Sequence, residues 1–428
     1  MAVGSRLHSA TRLYSGFMLK IILPLLLSWI ALAMGCAPGG SGTVPAWPSS
    51  HDIPEDEASD SMVRMGSTWS SRHEWVDRRD RIVDHVLEQF MLDPFPRRDP
   101  IEAVIHSRID LDGYSVSNVL FESFPGFFVS GNLYEPLDWA DPRPIVLCPH
   151  GHRRRSGDNP EGRMQHDYQY LCATLARMGA IVFTWDMVGW GENGQMDHRD
   201  VHAGPIQLWN TIRAIDFVTG LPDSDPSRIG CTGSSGGGTQ TFLATMIDQR
   251  ITCSAPVVMV SANWFGGCPC ESGLPIHQGD GFITNNVEFA ACAAPRPQLL
   301  VSVGGDWTSD TPDVEFPYLC RVYGVMGQGD AVENVHLAEQ GHDFGPDKRA
   351  AVYSFLARRL GLDRSGAMIT PMDFDETPVR ILHRDQLLAI TPEHPLPEDA
   401  LEGTEEVVAR WKSLPRPIPP RPTSPPGT

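Results

Sequence analysis

Positive charge is scarce in this 428-residue chain: 34 lysines and arginines stand against 53 aspartates and glutamates, a formal net charge of −19 at pH 7. So acidic a chain repels phosphate backbones and anionic bilayers, which excludes nucleic acid as a main partner and predicts solubility. No GxxxxGK[ST] stretch occurs, so the phosphate loop of nucleotide hydrolases is excluded. No repeat of about 20–50 residues is evident, which argues against solenoids and propellers. Cysteine is sparse, nine in all, and a chain this long needs no disulfide staples. Only Cys268 and Cys270, in GGCPCESG, look paired by spacing, while Cys148 and Cys231 fall inside apolar strands and read as small buried hydrophobes. Acidic residues are missing altogether before Asp52.

What is present begins there. Arg6, Arg12 and Lys20 precede the apolar run IILPLLLSWIALAM, which contains Pro24. The run is too short to span a hydrocarbon core of about 30 Å and fits the apolar region of a secretory signal. It ends ALAMGC, so small residues Ala33 and Gly35 precede Cys36, and this resembles the cleavage-and-acylation box of bacterial lipoproteins. Met18 offers an alternative start to Met1. The reading is a signal over residues 1–36, lipidation at Cys36, a flexible tether over 37–65, and an exported protein anchored in a bacterial cell envelope. An N-terminal helical extension (66–109) follows, in which Trp75, Ile82, Val86 and Phe90 share helical spacing. A C-terminal extension (363–414) and a tail (415–428) with seven prolines, read as disordered, close the chain.

Between about 110 and 362 an antiparallel strand pair gives way to a rhythm. Unbroken apolar strands such as RPIVLCPHGH, IVFTWDMVGWGENG, RIGCTGS and PRPQLLVSVGGD alternate with amphipathic helices. Strands without polar alternation belong in a sheet covered on both faces, so the spacing predicts an α/β fold with a mostly parallel sheet of about eight strands. One long interruption, NWFGGCPCESGLPIHQGDGFITNN (263–286), leaves the strand after RIGCTGS and is expected to fold over the site.

The stretch RIGCTGSSGGGTQTF places two serines at a strand-to-helix turn, where ligands of open parallel sheets bind. A nucleophile in so sharp a turn needs small residues two positions before and after. Ser234 fails, with Thr232 before it. Ser235 passes, with Gly233 and Gly237, and matches G-x-S-x-G. The N–H of Gly236, opening the next helix, faces any developing oxyanion. A second donor is the N–H of His152 in VLCPHGH, with Gly151 permitting the turn. A serine needs a base oriented by an acid, in the chain order serine, acid, histidine. Asp306 and His342 each follow a strand in that order. Asp310 is the rival acid, and His336 lies within its strand. A glycine-rich phosphate cradle is the competing reading, and it leaves Asp306 and His342 unexplained.

These motifs carry a resemblance. PHGH, DMVGWGENG, TGSSGGGTQT, AAPRPQLLVSVGGDWTSDTP and EQGHDF stand where an α/β-hydrolase has its loops. More narrowly the chain resembles bacterial exported hydrolases related to acetylxylan esterases, dienelactone hydrolases and the prolyl oligopeptidase catalytic domain. The resemblance implies a serine hydrolase with Ser235, Asp306 and His342 as its triad, no cofactor, and an ester substrate, small-molecule or carbohydrate. GSSGGG departs from the GSQGG form of established carbohydrate acetyl esterases, which argues against xylan itself.

Other residues weigh less. Asp186 and Gly189 read as caps of a strand-to-helix turn, and Arg153-Arg154-Arg155 as a solvated or salt-bridged edge. Cys268, Cys270 and His277 offer two thiols and one imidazole, short of zinc-site spacing, so no metal is expected. Trp264, Phe265 and Trp307 are expected to narrow the acyl pocket, favouring acetyl-type esters. Two alternatives stay open: a serine peptidase, and a catalytically silent binding lipoprotein on the same fold.

Overall fold

The computed structural model describes residues 53–137, 142–279, 281–370 and 373–417; the signal, Cys36, the first part of the tether and most of the proline tail lie outside the described residues. The chain enters through α1 (Glu55–Gly66), where Ala58, Met62 and Met65 form a buried stripe. The flexible tether expected over 37–65 therefore gives way to helix at its C-terminal end. α2 (Arg72–Gln89) starts on a capping box in which Ser71 and Glu74 satisfy each other's backbone donors, and it buries Trp75, Ile82 and Val86.

The sheet then begins earlier than the sequence pattern suggests. β1 (Ala103–Asp110) falls in the stretch expected to be a helical extension, and it pairs antiparallel with β2 (Tyr114–Phe124), which pairs with β3 (Phe127–Pro136). Next come β4 (Arg143–Leu147), α3 (His166–Arg177), β5 (Ile181–Trp185), α4 (Ala203–Thr219), β6 (Ser224–Ser234), α5 (Gly236–Ile247) and β7 (Cys253–Val257). The 263–286 insertion carries a short α6 (Pro269–Ser272) and a small strand pair, β8 (Gln278–Gly279) and β9 (Phe282–Ile283). α7 (Asn286–Ala291), β10 (Gln298–Gly305), α8 (Glu315–Val325), β11 (Val332–Gly341) and α9 (Pro346–Leu360) complete the alternation.

Nine strands form one sheet in the order β1-β2-β3-β5-β4-β6-β7-β10-β11, parallel from β5 to β11 and antiparallel at the β1–β3 edge. Strand residues feed two cores by simple alternation. Ile145 and Leu147 point to the face covered by α4 and α5, while Val146 and Cys148 point to the face covered by α3 and α9. The C-terminal extension follows both. After the hairpin β12 (Met368–Thr370) and β13 (Asp373–Phe374), residues Phe374 to Leu387 cover the α3/α9 face, and Trp411 of α10 (Thr404–Ser413) joins the opposite core. No helix among the described residues is long and apolar enough to cross a membrane.

Candidate active site

Crossovers on both faces of a parallel sheet bring strand C-termini to one edge, and the chemically capable residues gather there. β6 ends at Ser234, and Ser235 takes φ 57° and ψ −126°, a conformation that an L-residue adopts only where its surroundings hold it. The neighbours explain why the flanks are glycine. A Cβ on Gly233 or on Gly237 would stand 2.2 Å from the Pro149 carbonyl oxygen. The elbow therefore presses against the loop after β4, and any side chain at these two positions would force them apart.

The two serines part company here. The Ser234 side chain is buried, its hydroxyl 3.4 Å from the Tyr168 hydroxyl, which in turn donates to Pro149 O and accepts from Ser234 N–H. Ser235 is half-buried, and its hydroxyl makes no hydrogen bond among the described residues. Of the two, Ser235 is the one whose hydroxyl is left unengaged.

Asp306 follows β10 and His342 follows β11. His342 Nδ1 lies 2.7 Å from Asp306 Oδ2, with the carboxylate 2% exposed and the imidazole 31% exposed. Asp306 is itself held, because Oδ1 accepts from the Thr308 amide (2.7 Å) and hydroxyl (2.6 Å). The carboxylate accepts from Nδ1–H and so leaves the basic lone pair on Nε2. Asp310 is exposed, and His336 bonds Ser302 inside its strand. The 342 imidazole is not closed on Ser235 Oγ in this state, and such contacts commonly tighten only when substrate binds.

Gly151 and His152 stand against the elbow. A Cβ on Gly151 would meet Ser234 O at 2.6 Å and Ser235 Cβ at 3.2 Å, and one on Gly236 would meet the His152 ring at 2.4–2.5 Å. The two loops can approach this closely only because these positions lack side chains. His150, which the sequence reading passed over, braces this loop. Its Nδ1 donates to Gly151 O and its Nε2 accepts from Met187 N–H, each at 2.9 Å, and burial lowers its pKa to about 4, so it stays neutral.

Asp186 does more than cap the turn after β5. It is fully buried, accepts from Ser130 Oγ (2.8 Å) and Glu192 N–H (3.0 Å), and pairs with the buried guanidinium of Arg163, which also donates to Glu192 and Asn132. Of the arginine run, Arg153 pairs with Asp167 at 3.0 Å. The aromatics divide. Trp264 stacks on Trp307 (centroids 4.9 Å apart), and Trp307 lies 4.4 Å from the His342 ring. Phe265 instead stacks on His277 at 4.5 Å, so two aromatics, not three, face the site.

A second cluster adjoins the elbow. His277, the histidine weighed beside the cysteines, bonds Asn286 and takes no part. His152 and His198 converge on Cys268 and Cys270 instead, with all four ligand atoms within 4.8 Å of one another. Every described cysteine is a free thiol. Hydrogen bonds from Cys270, His152 and His198 hold the Cys268 thiol well below its ordinary pKa, while burial pushes Cys270 up.

No family model matches the chain, and no curated protein matches it. Solved structures do. Methylesterase BT1017 aligns at 36% sequence identity over 85% of this chain and 82% of its own length, with a TM-score of 0.76. Two glucuronoyl esterase structures from Solibacter usitatus align over 68% of this chain and 94% of theirs, at 17% and 14% identity and a TM-score of 0.50. At those identities the latter likeness is one of fold.

Proposed function

The chain belongs to the α/β-hydrolase superfamily, in the esterase family of methylesterase BT1017, and from that membership we propose that it is a serine esterase cleaving small esters, methyl esters first, of carbohydrate acids. The observation that carries the proposal is the Asp306–His342 hydrogen bond after β10 and β11, on the same parallel sheet whose strand β6 ends in the strained elbow of Ser235. Ser235 Oγ attacks the ester carbonyl while His342 Nε2 takes its proton. The negative charge on the carbonyl oxygen is met by the Gly236 and His152 N–H groups. His342 then returns the proton to the departing alcohol, and water, activated by the same imidazole, releases the acid. Asp306 holds the imidazole in the tautomer that this sequence requires. No bound cofactor enters these steps.

The preference for a methyl leaving group rests on where the tryptophans lie. Trp307 packs on the imidazole that protonates the alcohol, so the crowded side is the leaving-group side. That favours methanol over a bulky alcohol and leaves the acyl side for a sugar acid. The acetyl-ester reading, in which the acyl side is the narrow one, predicts the opposite ranking. Matched substrates separate the two: methyl esters of sugar acids against acetylated sugars, with aminoacyl amides as the peptidase control. Faster turnover of the acetylated sugars would reassign the narrow side, and amide cleavage would replace the esterase with a peptidase.

Export and lipidation belong to the same proposal, on the evidence of the basic and apolar N-terminus ending at Cys36. In the native host the protein is then membrane-associated, and Cys36→Ala leaves it unprocessed. A mature N-terminus beyond Cys36 on a fully soluble protein would remove the anchor.

A further inference from the structure

We propose that His152, His198, Cys268 and Cys270 bind a single zinc ion in a closed, structural site that pins the loop carrying the oxyanion donor. The argument begins with protons. His198 Nδ1 lies 2.6 Å from the Val188 carbonyl oxygen, which can only accept, so Nδ1 carries the hydrogen and Nε2 presents a lone pair. That lone pair faces His152 Nε2 at 2.9 Å, and His152 Nε2 is also 3.1 Å from Cys270 Sγ. A backbone carbonyl on the far nitrogen is the usual way in which a metal-binding imidazole is oriented.

The ligand set suits zinc. Two thiol sulfurs and two imidazole nitrogens form the tetrahedral S₂N₂ combination of structural zinc sites. Bonds of about 2.0–2.1 Å to nitrogen and about 2.3 Å to sulfur put tetrahedral ligands roughly 3.3–3.8 Å apart. The four atoms here all lie within 4.8 Å of one another, and the closest pairs need to part by only a few tenths of an ångström. His198, Cys268 and Cys270 are buried and His152 is partly so. Four protein ligands leave no position for water or substrate, which makes the site a clamp and not a source of hydroxide.

Its position gives the clamp a purpose. The ligands come from three segments: the loop after β4, the turn after β5 and the insertion at α6. His152 packs its ring on the Gly236 backbone. An ion at this place fixes the insertion to the elbow and sets the position of the His152 N–H. That last consequence rests on the esterase mechanism proposed above; the metal site itself does not.

The test is the metal content of the full chain, purified without a metal-affinity tag and analysed by mass spectrometry for metals. The expected result is one zinc per chain, lost in Cys268→Ser/Cys270→Ser and kept in His277→Gln, the neighbouring histidine outside the set. Cobalt exchanged for zinc should give the visible bands of a tetrahedral site with thiolate charge transfer, whatever the enzymatic activity. Chelation should lower kcat about tenfold or more with KM little changed, and zinc should restore it. A metal-free chain that takes up neither zinc nor cobalt, a Cys268–Cys270 disulfide in the purified protein, or metal retained by the double variant would each overturn the site. Full zinc with no esterase activity would instead count against the esterase reading and leave the clamp standing.

Discussion

Ser234 and Ser235 are neighbours with the same chemistry, and backbone geometry alone separates them. Ser234 sits in the Tyr168 hydrogen-bond network beneath the elbow, whereas Ser235 stands at φ 57° and its hydroxyl makes no hydrogen bond among the described residues. Ser235→Ala is expected to lower kcat by roughly 10⁴-fold or more, and Ser234→Ala to keep most of the activity. A dead Ser234→Ala beside an active Ser235→Ala would shift the elbow by one residue. Asp306→Asn keeps the side-chain shape, and its amide NH₂ in place of Oδ2 would favour the wrong imidazole tautomer, with a loss of about 10⁴-fold in kcat. A loss below tenfold would mean that another group orients His342. These residues were legible in the sequence because each follows a strand and the elbow leaves a glycine signature. His198 was not legible. It stands 46 positions from His152, while Cys270 stands 118 away, and no spacing rule reports a cluster that only tertiary closure assembles.

At the scale of elements, the elbow and the loop after β4 touch backbone to backbone, which makes Gly236 a sensitive contact. A Cβ there meets Cε1 of His152 at 2.4 Å. Gly236→Ala should displace the loop and lower kcat by about 10²–10³-fold, the cost of one lost oxyanion donor, with KM nearly constant. Equal kcat in variant and parent would show that the loop carries no donor. The tryptophan pair makes a second prediction. Across methyl, ethyl and butyl esters of one acid, kcat/KM should fall as the alcohol grows, and Trp307→Ala should flatten the series. A hydrophobic pocket discriminates by only about 1–3 kcal/mol per methylene, so a steeper fall marks steric exclusion. Rates that rise from methyl to butyl would place the tryptophans elsewhere in the reaction. Element reading from sequence failed where periodicity was masked. The α1 stripe of Ala58, Met62 and Met65 is diluted by acids and serines, and β1 is exposed along most of its length, so neither showed a clear hydrophobic pattern.

Across the whole molecule, the α/β rhythm was readable because β4, β5, β7 and the first six residues of β10 are buried without alternation, and helices separate the parallel strands. The C-terminal extension was not readable, since Phe374, Leu387 and Trp411 serve two different cores and share no period. Buried charge adds a stability effect. Glu315, 2% exposed at the start of α8, accepts from the Ala262 N–H, and burial pushes its pKa from 4.5 to about 7. The folded state therefore keeps a proton that the unfolded state releases. Its stability contribution is full below about pH 4.5, declines as the pH rises through about 7, and is constant above that. The loss amounts to roughly 3 kcal/mol at most. Glu315→Gln keeps the acceptor and cannot ionise, so denaturant midpoints at about pH 5 and about pH 8 should differ less in the variant than in the parent. An equal difference would show that Glu315 ionises without cost.

The central claim is that one particular hydroxyl is activated, and a fluorophosphonate reacts only with such a serine. Treating the purified chain with this probe and mapping the adduct by peptide mass spectrometry should place a single modification on Ser235, abolished in His342→Ala. An adduct on Ser234, or an unlabelled protein that still hydrolyses esters, would contradict the account.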